Sequence, residues 1–184
     1  MRLSWSLICK ECQKRLLKPT LRKRRLDLGI EVYSFYSYSE IKTLLKSKES
    51  YIGDRVLKIL ARNSFLPFLS NIGRIAKEFA IVPIDCRVKR HFSHTAVLGR
   101  VCEKAGFNVW YGALTSRSGV EYGGKGLRFR RSNPKRFIYR PTGLEPIVIV
   151  DDIIASGETI SQAAKTAGER SNVLFAMVLA DAAF

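Results

Sequence analysis

Short unbroken apolar runs alternate in this chain with stretches whose apolar residues recur every three or four positions, so element types can be assigned in order. Val32 to Tyr38 is aromatic and β-prone and predicts a strand. Ser39 is placed to cap a helix with Ile41, Leu44 and Leu45 on one face. A second helical stretch runs from Asp54 towards Phe65, with Pro67 expected to break it. Phe79 to Asp85 predicts a strand, and a helix from Ser93 or Thr95 to Lys104 should stop at Gly106. Asn108 to Leu114 and Arg136 to Tyr139 predict strands on either side of a basic, Gly-rich loop, Thr115 to Asn133. Ile147 to Val150 is wholly apolar, Ile160, Ala163, Ala164 and Ala167 mark a helix, and Val173 to Ala180 closes with a buried strand. Residues 1–30 show no clear periodicity, and no internal repeat is present. The order is that of a doubly wound α/β domain with a mainly parallel sheet, residues 31–184, behind a small basic head, residues 1–30.

Composition narrows the setting. A length of 184 residues suits one domain with a small accessory region, and 46% hydrophobic content is ordinary for a globular core. No apolar stretch approaches the roughly 20 residues a membrane span needs. Leu3 to Ile8 is too short for a signal-peptide core and a basic run follows it. Cysteines at 9, 12, 86 and 102 do not form a secreted disulfide pattern, so a cytoplasmic protein is expected.

Charge changes the picture more. The net charge is +16 and its placement is uneven. Residues 1–25 hold nine Lys/Arg and one Glu, and residues 117–140 hold eight Lys/Arg and one Glu; the other 135 residues are nearly neutral. Blocks like these are the footprint expected for a polyanion such as nucleic acid. The plainer alternative is a solvated basic tail and a loop that serves small phosphates only.

The strongest chemistry sits at Ile147–Thr159 (Ile-Val-Ile-Val-Asp-Asp-Ile-Ile-Ala-Ser-Gly-Glu-Thr). A buried parallel strand ends in the crevice where open α/β sheets bind ligands. Gly157 removes a side chain so that backbone N–H groups can close on a phosphate, and the helix start adds its positive dipole end. Ser156 and Thr159 add hydroxyl donors, and Asp151 and Asp152 are acceptors suited to neighbouring sugar hydroxyls. The plainer alternative is a buried strand capped by a polar turn.

This run resembles the phosphoribosyl-pyrophosphate signature of type I phosphoribosyltransferases. The resemblance implies that fold, with Asp151 and Asp152 on the ribose 2′- and 3′-hydroxyls and Ala155, Ser156, Gly157, Glu158 and Thr159 around the 5′-phosphate. It also makes the two aspartates the candidates for any catalytic role. Further segments, in order, resemble the ComF competence family: Tyr33 to Lys48, then Ile81-Val82-Pro83-Ile84-Asp85 with Arg87, Arg90 and His91-Phe92-Ser93-His94, then Arg130 to Phe137. His91 stands where that family usually has Arg, Ser93-His94 replace Asn-Gln, and a common loop Gln is absent near Tyr122-Gly123-Gly124. If those positions meet a second substrate, the acceptor chemistry differs.

The head departs as well. Cys9 and Cys12 have the spacing that lets two thiolates reach one ion, whereas structural zinc takes four ligands. The resembled family has two such pairs. A second pair upstream of Met1, a decayed finger, or an ion shared by two chains would each account for one pair; the first is the expectation. His91 and His94 suit either a phosphate contact and acid/base work or plain surface capping.

The resemblance implies Mg²⁺ with phosphoribosyl pyrophosphate, and a pyrophosphate loop at Ile84 to Arg90 using Ile84, Asp85, Arg87 and Lys89. A mobile loop, Thr115 to Arg131, would cover the site through Gly119, Gly123, Gly124 and Gly126. Two functions follow. One is a ComF-type protein of natural transformation that binds phosphoribosyl pyrophosphate or a related nucleotide and handles single-stranded DNA. Its partners would be a competence helicase or inner-membrane DNA channel, reached at the inner face of the membrane. Arg128, Arg130, Arg131, Lys135 and Arg136 would meet the strand, with Phe129, Phe137 and Tyr139 either stacking on bases or facing the core. The other is a working phosphoribosyltransferase for a nucleobase or amine.

Overall fold

The structure, a computed structural model, describes residues 7–27, 29–47, 50, 52–72, 79–85, 93–117, 128, 132 and 135–184. In chain order its elements are α1 (Lys10–Leu16), β1 (Arg22–Arg25), β2 (Glu31–Ser37), α2 (Tyr38–Lys46), α3 (Gly53–Asn71), β3 (Ala80–Asp85), α4 (His94–Glu103), β4 (Asn108–Val109), β5 (Leu114–Ser116), β6 (Phe137–Tyr139), β7 (Ile147–Ile154), α5 (Glu158–Gly168) and β8 (Val173–Asp181). The eight strands form one sheet in the order β1-β2-β8-β7-β3-β5-β6, with β4 also on β3. The β2–β8, β8–β7, β7–β3, β3–β4 and β3–β5 pairs are parallel; the outer β1–β2 and β5–β6 pairs are antiparallel. This is the doubly wound, mainly parallel α/β architecture that the sequence predicts.

Burial on both faces explains the unbroken apolar runs. Along β7, Val148 and Val150 pack into one core with α2, α3 and α4, while Ile147 and Ile149 pack into another with Ile160, Ala163, Ala164 and Ala167 of α5. β3 divides likewise, Ile81 to the first core and Ala80, Val82 and Ile84 to the second. None of the described helices is long and apolar enough to cross a membrane.

Four boundaries differ from expectation. The helix after β2 begins at Tyr38, not after Ser39, because the Ser37 N–H donates to the Glu40 carboxylate at 3.1 Å and closes the first turn there. Pro67 does not end α3, which runs on to Asn71. An interior Pro costs about 3 kcal/mol, but Phe65 and Leu69 on either side are fully buried, each worth about 1.5–3 kcal/mol. The expected strand Asn108–Leu114 is two strands. Val109 pairs with Ile81 and Leu114 with Ile84, so two residues more lie on this side than on β3, and Gly112 turns the chain at φ +68°. Finally, β7 continues through the acidic pair, with Ile153 and Ile154 opposite Ala180 and Asp181.

Part of the stretch expected as a head belongs to the sheet. Arg22, Lys23, Arg24 and Arg25 pair with Ser34, Tyr33, Val32 and Glu31 of β2.

Candidate functional site

β3 leads into α4 on one face of the sheet and onward to β4 and β5 on one side. β7 leads into α5 on the other face and back to β8 on the opposite side. The carboxyl ends of β3 and β7 therefore flank a topological switch point, where open sheets leave a crevice. Their pairing is traced as far as Pro83 opposite Val150; beyond it come Ile84–Asp85 on one strand and Asp151–Asp152 on the other.

Asp151 and Asp152 are half-buried at this edge, and the Asp152 N–H donates to the Asp151 carboxylate at 2.8 Å. His94, the first residue of α4, brings Nδ1 to 4.0 Å from Asp152 Oδ2. That distance exceeds a hydrogen bond and makes an ion pair only when the imidazole is protonated.

The loop after β7 is held through its carbonyls. Ile154 accepts from the Ala182 N–H at 2.8 Å, Ala155 from Arg24 Nη1 at 2.8 Å, Ser156 from Arg24 Nη2 at 3.5 Å, and Gly157 from the Ser161 N–H at 2.9 Å. Arg24 Nη1 also lies 3.5 Å from Oδ1 of Asp181, whose side chain is 1% exposed. Gly157 sits at the N-cap of α5 with φ +84°, a conformation that favours glycine. Glu158 accepts from Gln162 Nε2 at 2.6 Å, its N–H lies 3.5 Å from Ser156 Oγ, and Thr159 is half-buried at the start of α5.

Two residues expected in the pyrophosphate loop have partners within the fold. Ile84 is buried, and its carbonyl accepts from the Thr95 hydroxyl at 2.9 Å. Asp85 braces its neighbours, accepting from the Ser93 hydroxyl at 3.0 Å and from the Gly112 N–H at 2.8 Å. Arg87, Lys89, Cys86, His91, Arg130, Arg131, Phe129 and the glycines expected in the covering loop lie outside the described residues.

Of the other residues proposed for DNA, Arg128 and Arg136 are exposed and Lys135 is half-buried, its N–H donating to Gln162 at 2.9 Å. Tyr139 is buried and its hydroxyl shares a 2.8 Å hydrogen bond with Ser171; Phe137 packs against the core on the α5 side. Tyr139 is thus enclosed in the core and Phe137 packs against it from a half-buried position, which is the core-facing one of the two alternatives. Several β1 cations have partners among the described residues. Arg22 lies 4.7 Å over the Phe184 ring, Lys23 pairs with Glu31 at 2.6 Å, and Arg24 holds the loop.

Cys9 caps the seven-residue α1, its sulfur accepting from the Cys12 N–H at 3.3 Å. That N–H lowers the Cys9 thiol pKa, while a hydrogen bond between the two side chains raises that of Cys12. Cys102 is buried in the core, and among the described residues no group of three or more His, Cys, Asp or Glu is placed to hold a metal ion. The pair falls short of the four ligands structural zinc takes.

Arg24 and Asp181 escaped the sequence reading. Arg24 is 131 positions from its loop partner, although a carboxylate ending the apolar run Ala176 to Ala180 was a local sign of a buried charge in need of a partner.

No protein-family model matches this chain, and no curated protein matches it. Solved structures of similar shape include an adenine phosphoribosyltransferase, 16% identical over 91% of this chain and 89% of that one, with a TM-score of 0.46. Orotate phosphoribosyltransferase from Aeropyrum pernix is 15% identical over 93% and 80%, with a TM-score of 0.43. Hypoxanthine-guanine phosphoribosyltransferase of L. donovani is 16% identical over 68% and 71%, with a TM-score of 0.44. These are distant likenesses, and the functional case rests on the residues of the site itself.

Proposed function

We propose that this chain binds phosphoribosyl pyrophosphate at the carboxyl ends of β3 and β7 and handles single-stranded DNA in natural transformation, in the manner of the ComF family it resembles. One observation carries the ligand reading: an acidic pair and a glycine-led helix start stand together at the switch point of a parallel sheet. Asp151 and Asp152 accept from the ribose hydroxyls, and Ala155 to Thr159 surround the 5′-phosphate. The β3 side, with Arg87 and Lys89, takes the pyrophosphate. Mg²⁺ suits this donor set because it is commonly held by one or two carboxylates together with substrate phosphates. Asp151 and Asp152 would supply the carboxylate, and the ion would neutralise pyrophosphate charge.

Arg128, Arg130, Arg131, Lys135 and Arg136 contact the phosphates of a single strand, and the protein works in the cytoplasm beside a competence helicase or inner-membrane DNA channel. The charge blocks and the ordered sequence resemblance support this part. Thermal-shift titration with phosphoribosyl pyrophosphate and Mg²⁺ tests the ligand: at a hundredfold excess over Kd, binding stabilises the native state by about 2.7 kcal/mol. An unmoved midpoint refutes it. Anisotropy with a labelled oligonucleotide tests the strand: changing Arg130, Arg131, Lys135 and Arg136 together to Ala should abolish most affinity, and unchanged affinity refutes it.

A second reading is a working phosphoribosyltransferase, in which the bond from ribose C1 to the pyrophosphate oxygen breaks as a bond to an acceptor nitrogen forms. The packing of Phe137 and Tyr139 on the core favours it, since these two of the three aromatic candidates are then engaged within the fold. Pyrophosphate release in the presence of a purine, pyrimidine or amine would select it.

A further inference from the structure

We infer that Arg24 is a positioning residue for the phosphate loop, setting the direction of its peptide planes so that the amides of Ser156 and Gly157 face the ligand. The inference rests on the reading of Ala155–Thr159 as the 5′-phosphate site and goes beyond it by assigning the residue that orients that site. The guanidinium takes the carbonyls of Ala155 and Ser156 on its two terminal nitrogens, at 2.8 and 3.5 Å. A trans peptide is planar, with C=O and N–H opposed, and no described peptide is cis. Holding those two carbonyls towards β1 therefore turns the N–H groups of Ser156 and Gly157 away from β1. Without such a hold, the plane between Ser156 and Gly157 would be free to rotate, because glycine populates both signs of φ.

What fixes Arg24 itself is Asp181, at the end of β8. One carboxylate oxygen lies 3.5 Å from Nη1 and accepts from the Ala183 N–H at 2.8 Å; the other is buried with no hydrogen-bond partner among the described residues. Asp181 thus relies on Arg24 as its counter-charge, and the guanidinium is anchored between a buried anion and the loop. A fork-shaped, permanently charged group with several donors meets this geometry, and an ammonium does not. The first strand of the basic head thereby reaches the ligand loop without touching ligand.

The test compares two probes that share the site but not the loop: ribose 5-phosphate, which needs the 155–159 amides, and inorganic pyrophosphate with Mg²⁺, which does not. Arg24→Met should weaken ribose 5-phosphate by about tenfold or more, in line with losing charge-assisted hydrogen bonds, while pyrophosphate affinity is little changed. Millimolar guanidinium should restore part of the loss. Arg24→Lys should show the same selective loss in smaller measure, and it carries the test if the Met variant does not fold. A merely structural role would lower both affinities together and show no rescue, and that outcome, or unchanged ribose 5-phosphate binding in both variants, overturns the inference while leaving the ligand reading standing. Wild-type protein that binds neither probe overturns the ligand reading, and this inference with it.

Discussion

Cδ2 of Leu26 occupies the space a side chain at position 157 would need: a β-carbon built on Gly157 would lie 2.6 Å from it. Leu26 follows directly on β1, so the strand that supplies Arg24 also supplies the surface on which the loop rests. Gly157 meets that surface from the left-handed region, at φ +84°. Absence of a side chain there is required twice, once by space and once by backbone.

Gly157→Ala should cost about 1–2 kcal/mol of stability from the left-handed conformation alone. The Leu26 clash adds less, because the far end of a flexible side chain can shift. Gly157→Ala should also weaken ribose 5-phosphate, whose phosphate the loop surrounds, and adding Leu26→Ala should restore neither stability nor affinity in full. Denaturant melts and calorimetry on the single and double variants measure both quantities, and full recovery would show that space alone matters.

Asp151→Asn and Asp152→Asn should each weaken phosphoribosyl pyrophosphate by about tenfold or more, the scale of a charge-assisted hydrogen bond. Asparagine keeps a carbonyl oxygen, so the local hydrogen bond from the Asp152 N–H to the residue 151 side chain can persist. Melting points should stay near wild type, and unchanged ligand affinity would refute the assignment.

A cation held against an anion within the fold should matter less to DNA than an exposed one. Replacing Arg128 and Arg136, both exposed, by Ala should reduce the slope of log affinity against log salt by up to about 0.7 for each DNA phosphate that is no longer neutralised. Lys23→Ala should change the slope less, since its ammonium stands 2.6 Å from Glu31. Equal effects would mean that the head and the loop face the strand alike.

Cys102 predicts behaviour at alkaline pH. Burial pushes its thiol from 9.0 up to about 12. The unfolded chain deprotonates first, so the contribution is complete below about pH 9 and declines as pH rises towards 12. Cys102→Ala gives up core packing at every pH, but its stability should fall less steeply over that range. Parallel slopes in denaturant melts would contradict this.

The sheet was legible because each central strand is buried on both faces and writes itself as an apolar run, Ile147 to Val150 most plainly. The candidate site's edge was legible because Asp151 to Thr159 are contiguous. Pro67 misled because the sequence displays the missing hydrogen bond and not the burial of Phe65 and Leu69 around it. The support of the site was hidden for another reason. Arg24 and Asp181 come from opposite ends of the chain, and a count of charges treats a cation with a private partner like one in open water.

β1 is also the outer rim of the sheet. Four consecutive cations on an edge strand repel a second chain that would extend it, a common safeguard against strand addition. A fragment beginning at residue 31 would shed that rim and present β2, with Tyr33, Phe35 and Tyr36, as an open margin. Such a fragment should self-associate, scattering light at concentrations where the full chain stays dispersed. On that outcome the basic segment guards solubility, and attempts to trim the protein to its α/β domain should cut before Arg22 rather than after it.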